Sequence, residues 1–270
     1  MRHLTEYIIE GCLLAAFMIS ACVTTAVVEH PSSAVRQGLR NAAVRRGIIG
    51  LVMGLTAVAL IYSPPGQRSG AHMNPAVTLS FLYLGKIDWG DAAGYITAQV
   101  VGGIVGVGVC CLPTGLTRRV FSHPSVMHVA TVPARGIRAA LLGEFAISAL
   151  LIACVLTTSN YAPTSAYTGL FAGALVAVYI AVEAPYSGMS MNPARTLGSA
   201  VFSRRFTGMW VYVLAPIGGM LSAAAAYASL DQHVYCAKLS HGSQQTCPFH
   251  CEHERLVGPA LHTSAQRSMP

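Results

Sequence analysis

The sequence predicts an all-α membrane protein with six transmembrane helices plus two re-entrant half-helices in an inverted repeat. Three observations lead to this fold class. The chain of 270 residues is 53% hydrophobic and only 10% charged, which is too apolar for an ordinary soluble domain. Six apolar stretches approach the length of a membrane span, and an Asn-Pro-Ala motif occurs twice at matching places.

Each apolar stretch has about the 17–25 residues that a transmembrane helix needs, or slightly fewer. The first stretch runs into a charged loop rather than a small-residue cleavage site, so we expect a retained helix and not a cleaved signal. The predicted spans lie at about 7–28, 48–63, 92–113, 136–158, 166–184 and 208–230.

The two halves of the chain repeat one pattern. The segment at 69–76 reads Ser-Gly-Ala-His-Met-Asn-Pro-Ala, and 118 positions later the segment at 187–194 reads Ser-Gly-Met-Ser-Met-Asn-Pro-Ala. Each half has three spans, which is an odd number, so the second half should enter the membrane from the opposite side. The predicted channel domain is residues 1–230, with inverted repeats at about 7–113 and 136–230.

Each Asn-Pro-Ala motif is predicted to begin a half-helix inside the membrane, because Asn suits a helix cap and Pro suits the first helical position. The half-helices, at about 74–84 and 192–202, would each be roughly 15 Å long and together cover the ~30 Å hydrocarbon core. Their N-termini would meet at the membrane centre and repel cations there. The predicted central residues are Asn74, Pro75, Ala76, Asn192, Pro193 and Ala194.

Two carboxylates occupy equivalent places in the first and fourth spans, Glu10 and Glu144. Ionisable groups inside spans usually face a cavity or a polar partner, so both are predicted to brace the re-entrant backbone; a snorkelling position at the interface is the alternative. Arg195 directly follows the second motif and offers a fixed charge with up to five donors.

With both motifs in place, residues 7–230 resemble an aquaporin of the major intrinsic protein family. The resemblance implies the aquaporin fold, a homotetramer with one pore per subunit, and cytoplasmic termini in the plasma (inner) membrane. Ten of the seventeen basic residues would then lie in outside loops, against the positive-inside rule. The resemblance also implies a selectivity filter, which aligns with Met53, Ile180, Met189 and Arg195.

This filter differs from two subgroups of the family. Strict water channels usually have an aromatic residue and a histidine where this chain has Met53 and Ile180, and glycerol facilitators usually have Asp at the position of Thr196. The run Ser-Met-Asn-Pro-Ala-Arg-Thr-Leu-Gly at 190–198 is most similar to the nodulin-like intrinsic proteins of plants and their bacterial relatives. That group is associated with water, glycerol and neutral metalloid hydroxides.

The expected function is a passive transmembrane channel for water and small uncharged solutes such as glycerol, excluding protons and ions. A neutral metalloid (boric or arsenous acid) facilitator and a strict water channel are the alternatives within this class. A coupled transporter would need more ionisable residues in its spans. No enzymatic activity and no cofactor are expected, since no combination of nucleophile, base and metal ligands is evident.

The expected partners are water and small neutral solutes, the lipid bilayer and further copies of the chain. The net charge is +7, but the basic residues are spread through loops without interleaved aromatic residues, so nucleic-acid binding is not expected.

The polar C-terminal tail, residues 231–270, is expected to be disordered. Its Cys and His residues suit Zn²⁺ but lack the Cys-x₂-Cys pairs of structural zinc sites. No metal is therefore predicted, and a metal-sensing membrane protein is the remaining competing class. The weak candidate ligands are Cys247, His250, Cys251 and His253.

Overall fold

The computed structural model describes residues 3–111, 115–126, 129–242 and 247–258, which are helical or irregular and form no strand. Their helices are α1 (Leu4–Glu29), α2 (Ala34–Gly38), α3 (Ala42–Tyr62), α4 (Pro64–Ser69), α5 (Pro75–Tyr83), α6 (Trp89–Cys111), α7 (Gly115–Ser122), α8 (Ile137–Ser159), α9 (Ala162–Ser165), α10 (Thr168–Val182), α11 (Ala184–Ser187), α12 (Pro193–Ser203), α13 (Val211–Ser229) and α14 (His253–Val257).

The predicted spans correspond to α1, α3, α6, α8, α10 and α13, and the predicted half-helices correspond to α5 and α12. Both half-helices begin at the proline of an Asn-Pro-Ala motif and have the preceding asparagine as their cap. The all-α fold class is therefore confirmed, with the half-helices starting where the local chemistry of Asn and Pro predicts.

Five of the six spans are helices long and apolar enough to cross a membrane, and the fifth span in chain order is not. That span, α10, has 15 residues and is about 22 Å long at 1.5 Å per residue, short of the ~30 Å core. It is shorter than the predicted 166–184. Pro185, near the start of α11, accounts for the early C-terminal end of α10, because a proline has no N–H to donate to the carbonyl of Ala181 and so cannot continue the helix.

Helix packing follows the inverted repeat, in which α1, α3, α5 and α6 are equivalent to α8, α10, α12 and α13. The pair α1 and α6 packs together, as does its equivalent pair α8 and α13. Each half-helix packs on the opposite half, α12 against α6 and α5 against α13. The equivalent helices α3 and α10 pack on each other, which places them at the pseudo-two-fold axis.

Glycines allow the α3–α10 contact to be very close. A Cβ atom added to Gly54 would lie 2.5 Å from the carbonyl oxygen of Gly173, and one added to Gly173 would lie 2.7 Å from that of Gly54. Such distances leave no room for a side chain. The two helices therefore pack backbone to backbone, as small residues permit in membrane helices.

The outward faces of the long helices carry exposed aliphatic side chains, which in water would be an unfavourable surface. In a bilayer these faces suit contact with lipid. Together with the spans, they make the chain an integral, multi-pass membrane protein. Examples are Leu51, Leu55, Val101, Val105, Leu142, Leu150, Val178 and Leu214.

The tail differs from the predicted disorder over the residues described, 231–242 and 247–258. The backbone N–H of Leu239 donates to the carbonyl of Gly70 (3.2 Å), and that of His250 donates to the carbonyl of Lys86 (3.1 Å). These contacts, together with burial of apolar side chains, dock the tail beside the first re-entrant loop. The buried tail residues are Val234, Cys236, Ala237, Lys238, Leu239, Ser240 and Phe249.

Candidate pore and its supporting residues

One cavity of about 270 Å³ is lined by residues of both halves and of both re-entrant loops. All four predicted filter residues and both motif asparagines lie in its wall, whereas Pro75, Ala76, Pro193 and Ala194 lie behind it. Most of the remaining lining is aliphatic. The predicted residues in the wall are Met53, Asn74, Ile180, Met189, Asn192 and Arg195.

The two re-entrant loops have almost the same backbone conformation. Gly70 and Gly188, at equivalent positions, have φ angles of 94° and 95°. Each loop then holds two non-glycine residues in the left-handed region, at a cost of roughly 1–3 kcal/mol per residue that the surroundings must offset. These four residues are Ala71 (φ 55°), Met73 (49°), Met189 (47°) and Met191 (56°).

Asn74 and Asn192 cap their own half-helices and also join the two loops. Each Oδ1 accepts from the backbone N–H two residues on, at 2.9 Å for Asn74 and 3.0 Å for Asn192. The Nδ2 of Asn74 donates to the carbonyl of Met191, and the Nδ2 of Asn192 donates to that of Met73, both at 2.7 Å. Within the described residues this leaves the second N–H of each amide beside the cavity.

Glu10 lies behind the first re-entrant loop, with no exposed surface. Its Oε1 accepts from the hydroxyl of Ser69 (2.7 Å) and the backbone N–H of His72 (3.0 Å). Its Oε2 accepts from the backbone N–H of Met73 (2.6 Å) and the side-chain amide of Gln99 (2.9 Å). Both carboxylate oxygens therefore accept hydrogen bonds from the strained loop, and one of them also accepts from Gln99 of the neighbouring helix α6.

Glu144 is buried to the same degree behind the second loop. Its Oε1 accepts from the hydroxyl of Ser187 (2.8 Å) and the backbone N–H of Ser190 (2.7 Å), and its Oε2 accepts from the backbone N–H of Met191 (2.7 Å). The two loops are thus held by equivalent carboxylates from equivalent helices.

Arg195 is positioned by a residue that the sequence did not single out. Its Nη1 donates to the hydroxyl of Thr131, which lies in the loop before α8 and is 5% exposed. That loop is anchored to the second re-entrant segment, since the N–H of Arg135 donates to the carbonyl of Tyr186 (3.2 Å) and its guanidinium lies 4.1 Å from the Tyr186 ring. No periodicity or motif distinguishes Thr131 in the sequence.

The pore wall also includes His72 and Leu239. The Nε2 of His72 donates to the carbonyl of Ala237 (2.8 Å), which makes its Nδ1 the acceptor opposite the hydroxyl of Thr78 (3.1 Å) in the neutral ring. The ring also stacks on Phe249, with centroids 5.2 Å apart. The tail therefore reaches the pore wall, which its sequence alone did not indicate.

The four metal-ligand candidates in the tail are only partly brought together. Cys247 and Cys251 form a cluster with Cys236 and His241, in which all four ligand atoms lie within 4.8 Å of one another. The other two candidates contribute no ligand atom to this cluster. His250 contacts the carbonyl of Gly85 (2.9 Å), and His253 stacks on His241 with centroids 3.7 Å apart.

An ion pair fixes the tail near this cluster. The Nζ of Lys86 lies 3.0 Å from the Oε1 of Glu252, whose other oxygen lies 2.6 Å from the Nη1 of Arg255. The hydrogen bond from Lys86 lowers the pKa of Glu252, with further lowering by the charges of Lys86 and Arg255.

Comparison with known proteins agrees with this architecture. The sequence model of the family described as "Major intrinsic protein" matches residues 3–227. The chain belongs to the major intrinsic protein family. The family assignment made from the two motifs is confirmed.

Among its relatives in the family are nodulin-type aquaporins of plants. Aquaporin NIP1-3 of Oryza sativa subsp. japonica is 37% identical over 179 residues, 66% of this chain and 59% of the relative. Aquaporin NIP1-2 of Arabidopsis thaliana is 35% identical over 181 residues, 66% of this chain and 61% of the relative. The matched part thus spans about three fifths of these relatives' length.

The fold also matches that of an X-ray structure of the aquaglyceroporin from Plasmodium falciparum. The TM-score is 0.68 at 21% sequence identity, covering 84% of this chain and 96% of the other. At this level of identity the similarity shows that the two proteins share a fold.

Proposed function

We propose that this major intrinsic protein is a passive transmembrane channel for water and small uncharged solutes such as glycerol, and that it excludes protons and ions. The observation that carries the proposal is a cavity whose wall contains both motif asparagines and Arg195. Passive conduction through such a cavity involves no chemical step. The expectation that the protein is not an enzyme and needs no cofactor accords with this proposal.

Ion exclusion follows from the two half-helices. The N-termini of α5 and α12 meet at Asn74 and Asn192, and each terminus carries roughly half a positive charge. An amide N–H from each asparagine points a donor toward a central water oxygen, so hydrogen-bond polarity reverses there and proton relay along the file is interrupted. A cation arriving at this point meets the positive potential of two helix N-termini and the N–H donors of both asparagines.

Solute size follows from the filter. Met53, Ile180 and Met189 present apolar surface, while Arg195 supplies donors on one side. A solute with hydroxyls on one face and carbon on the other matches such a wall, as the name of the aquaglyceroporin of similar fold also suggests. A neutral metalloid facilitator and a strict water channel are the second candidates.

We further propose a homotetramer with one pore per subunit, in the plasma (inner) membrane with cytoplasmic termini. The exposed aliphatic faces of the long helices give such an assembly apolar surface to bury.

The test compares water, glycerol, urea and boric acid flux into proteoliposomes by stopped-flow light scattering. Met53→Phe combined with Ile180→His narrows the filter and adds a ring donor, so it should suppress glycerol flux while preserving water flux. Leu51→Phe is the matched control, because Leu51 lies on the same helix and faces outward. A wild-type channel that passes water but none of the three larger solutes would contradict the proposed selectivity.

A further inference from the structure

The tail holds three thiols and one imidazole at a single point beside the channel. The ligand atoms of Cys236, His241, Cys247 and Cys251 all lie within 4.8 Å of one another. The Sγ atoms of Cys236 and Cys247 are 3.5 Å apart, and the Sγ of Cys251 is 3.6 Å from the Nε2 of His241. Four ligand atoms converge here from two separate segments of the tail.

These distances match a tetrahedral metal centre. Zn–S bonds of about 2.3 Å place the sulfur atoms of a tetrahedral site about 3.8 Å apart, and Zn–N bonds of about 2.0–2.1 Å place sulfur and nitrogen slightly closer. Three thiolates and one imidazole are a usual ligand set of structural zinc sites, and softer ligands of this kind exclude Mg²⁺ and Ca²⁺. A disulfide needs an S–S distance near 2.05 Å and would use only two of the three thiols.

The surroundings suit a charged metal centre. Zn²⁺ with three thiolates has a net charge of −1, and the buried cation Lys238, 2% exposed, acts electrostatically on Cys247. His253 stacks on the ring of His241 at 3.7 Å and thereby fixes its orientation. Orienting contacts of this kind around a ligating histidine tune metal affinity.

The segments that carry the ligands are the ones docked on the channel. Cys236 lies directly before Ala237, whose carbonyl accepts a hydrogen bond from His72. Leu239 of the pore wall follows three residues after Cys236. Between Cys247 and Cys251, Phe249 stacks on the same His72 ring. A metal joining these cysteines would hold both contacts at once.

We propose that Cys236, His241, Cys247 and Cys251 bind one Zn²⁺ ion, which staples the C-terminal tail over the pore mouth at His72. The ion draws its ligands from 236–241 and 247–251, so it fixes relative to each other two segments that have little regular structure of their own. Metal binding then contributes folding free energy to this part of the chain. With the metal removed, the Ala237 and Phe249 contacts with His72 are no longer tied to each other through the cysteines.

The experiment uses the full-length protein in detergent with reductant, dialysed against micromolar zinc chloride and then against metal-free buffer. Mass-spectrometric metal analysis should give about one zinc per chain. Cys247→Ser combined with Cys251→Ser should reduce zinc affinity more than roughly 100-fold, beyond the 10–100-fold effect of altering an outer contact. Cys12→Ser combined with Cys154→Ser removes the same number of thiols from the spans and should leave the stoichiometry unchanged.

Two further measurements keep the proposal falsifiable if the double variant does not fold. Cobalt chloride added to the wild-type protein should give the intense visible absorption of tetrahedral Co²⁺ bound to thiolates, and zinc should displace it. His250→Ala should still bind one zinc, because His250 contacts Gly85 instead. Chelation should speed protease cleavage of the tail in the wild-type protein.

Several results would overturn the site. These are a reduced wild-type protein without zinc, zinc retained equally by the Cys247 and Cys251 double variant, or zinc lost in His250→Ala. A disulfide between Cys236 and Cys247 in a protein that takes up no zinc after reduction would also overturn it. Metal content and flux are measured separately, so failure of the zinc site leaves the channel proposal unaffected, and the reverse also holds.

Discussion

The Glu144→Gln variant tests whether a buried carboxylate holds the second re-entrant loop. Glutamine has nearly the shape of glutamate but replaces one oxygen with an NH₂ donor. If its carbonyl takes the place of Oε1, the bonds from Ser187 and Ser190 remain, while the NH₂ group faces the N–H of Met191. That N–H then lies buried against another donor, which costs about 1–3 kcal/mol.

The magnitude follows from comparing hydrogen bonds with backbone strain. Bonds to a charged group contribute about 1.5–3 kcal/mol each, so the three bonds of Glu144 supply about 4.5–9 kcal/mol. The positive φ angles of Met189 and Met191 cost roughly 2–6 kcal/mol together. In the variant two neutral bonds of about 0.5–1.5 kcal/mol each remain, which no longer offset the strain. The loop should then relax, and the protein loses the difference between the bonds of Glu144 and the strain they offset, which is about 3 kcal/mol.

This loss lowers the midpoint of thermal unfolding by roughly 6–12 °C, at 2–4 °C per kcal/mol. The midpoint temperature, measured by size-exclusion chromatography after heating, should fall. Water flux into proteoliposomes should fall as well. Glu183→Gln is the matched control, because in the described part of the chain its carboxylate bonds the Ser187 hydroxyl but neither loop N–H. If Glu144→Gln matches the wild type in both measurements, the bracing role of Glu144 is wrong.

Two further predictions concern helix packing and tail docking. Gly54→Ala should lower the free energy of unfolding by about 1–3 kcal/mol, because a Cβ there meets the facing backbone at 2.5 Å. Gly47→Ala on the same helix meets nothing within 4 Å and should be neutral or stabilising; equal destabilisation by both, measured by thermal unfolding, would contradict the close approach. The Lys86–Glu252 ion pair should make tail docking depend on pH. Because the pKa of Glu252 is lowered from its ordinary value of 4.5, the pair stabilises the docked tail above that value, and the contribution is lost as pH falls through the lowered pKa. Lys86→Met should therefore speed protease cleavage of the tail at pH 7, and with an acid-tolerant protease its effect should shrink as the pH is lowered through the pKa of Glu252; an effect that is the same at every pH would argue against the ion pair.

The parts of the fold that the sequence predicted are those set by local chemistry. Asparagine is favoured as a helix cap and proline at the first helical position, so Asn74 and Asn192 located the starts of both half-helices. The repeat then related the spans and half-helix of one half to those of the other, and it predicted that Glu10 and Glu144 lie behind their loops. The filter residues aligned by family resemblance lie together in one cavity wall.

The parts that the sequence did not predict depend on contacts between distant segments. Thr131 reaches Arg195 only because its loop folds back on the second re-entrant segment. In the tail, the sequence pattern indicated ligands close together in the chain, whereas the described cluster has Cys236 and His241 in place of His250 and His253. A composition rich in polar residues indicates disorder. It gives no sign that Leu239 and Phe249 pack against the apolar surface of the channel domain.

The exchanged bonds of the two motif asparagines also bear on how the chain is made. Asn74 donates to the carbonyl of Met191, more than a hundred residues later in the chain. The first re-entrant loop can form its bonds to Glu10 within the first half of the chain, but the amide of Asn74 reaches Met191 only when the second half is also in place. The contact at the centre of the pore therefore forms only after both halves have been synthesised and have packed together.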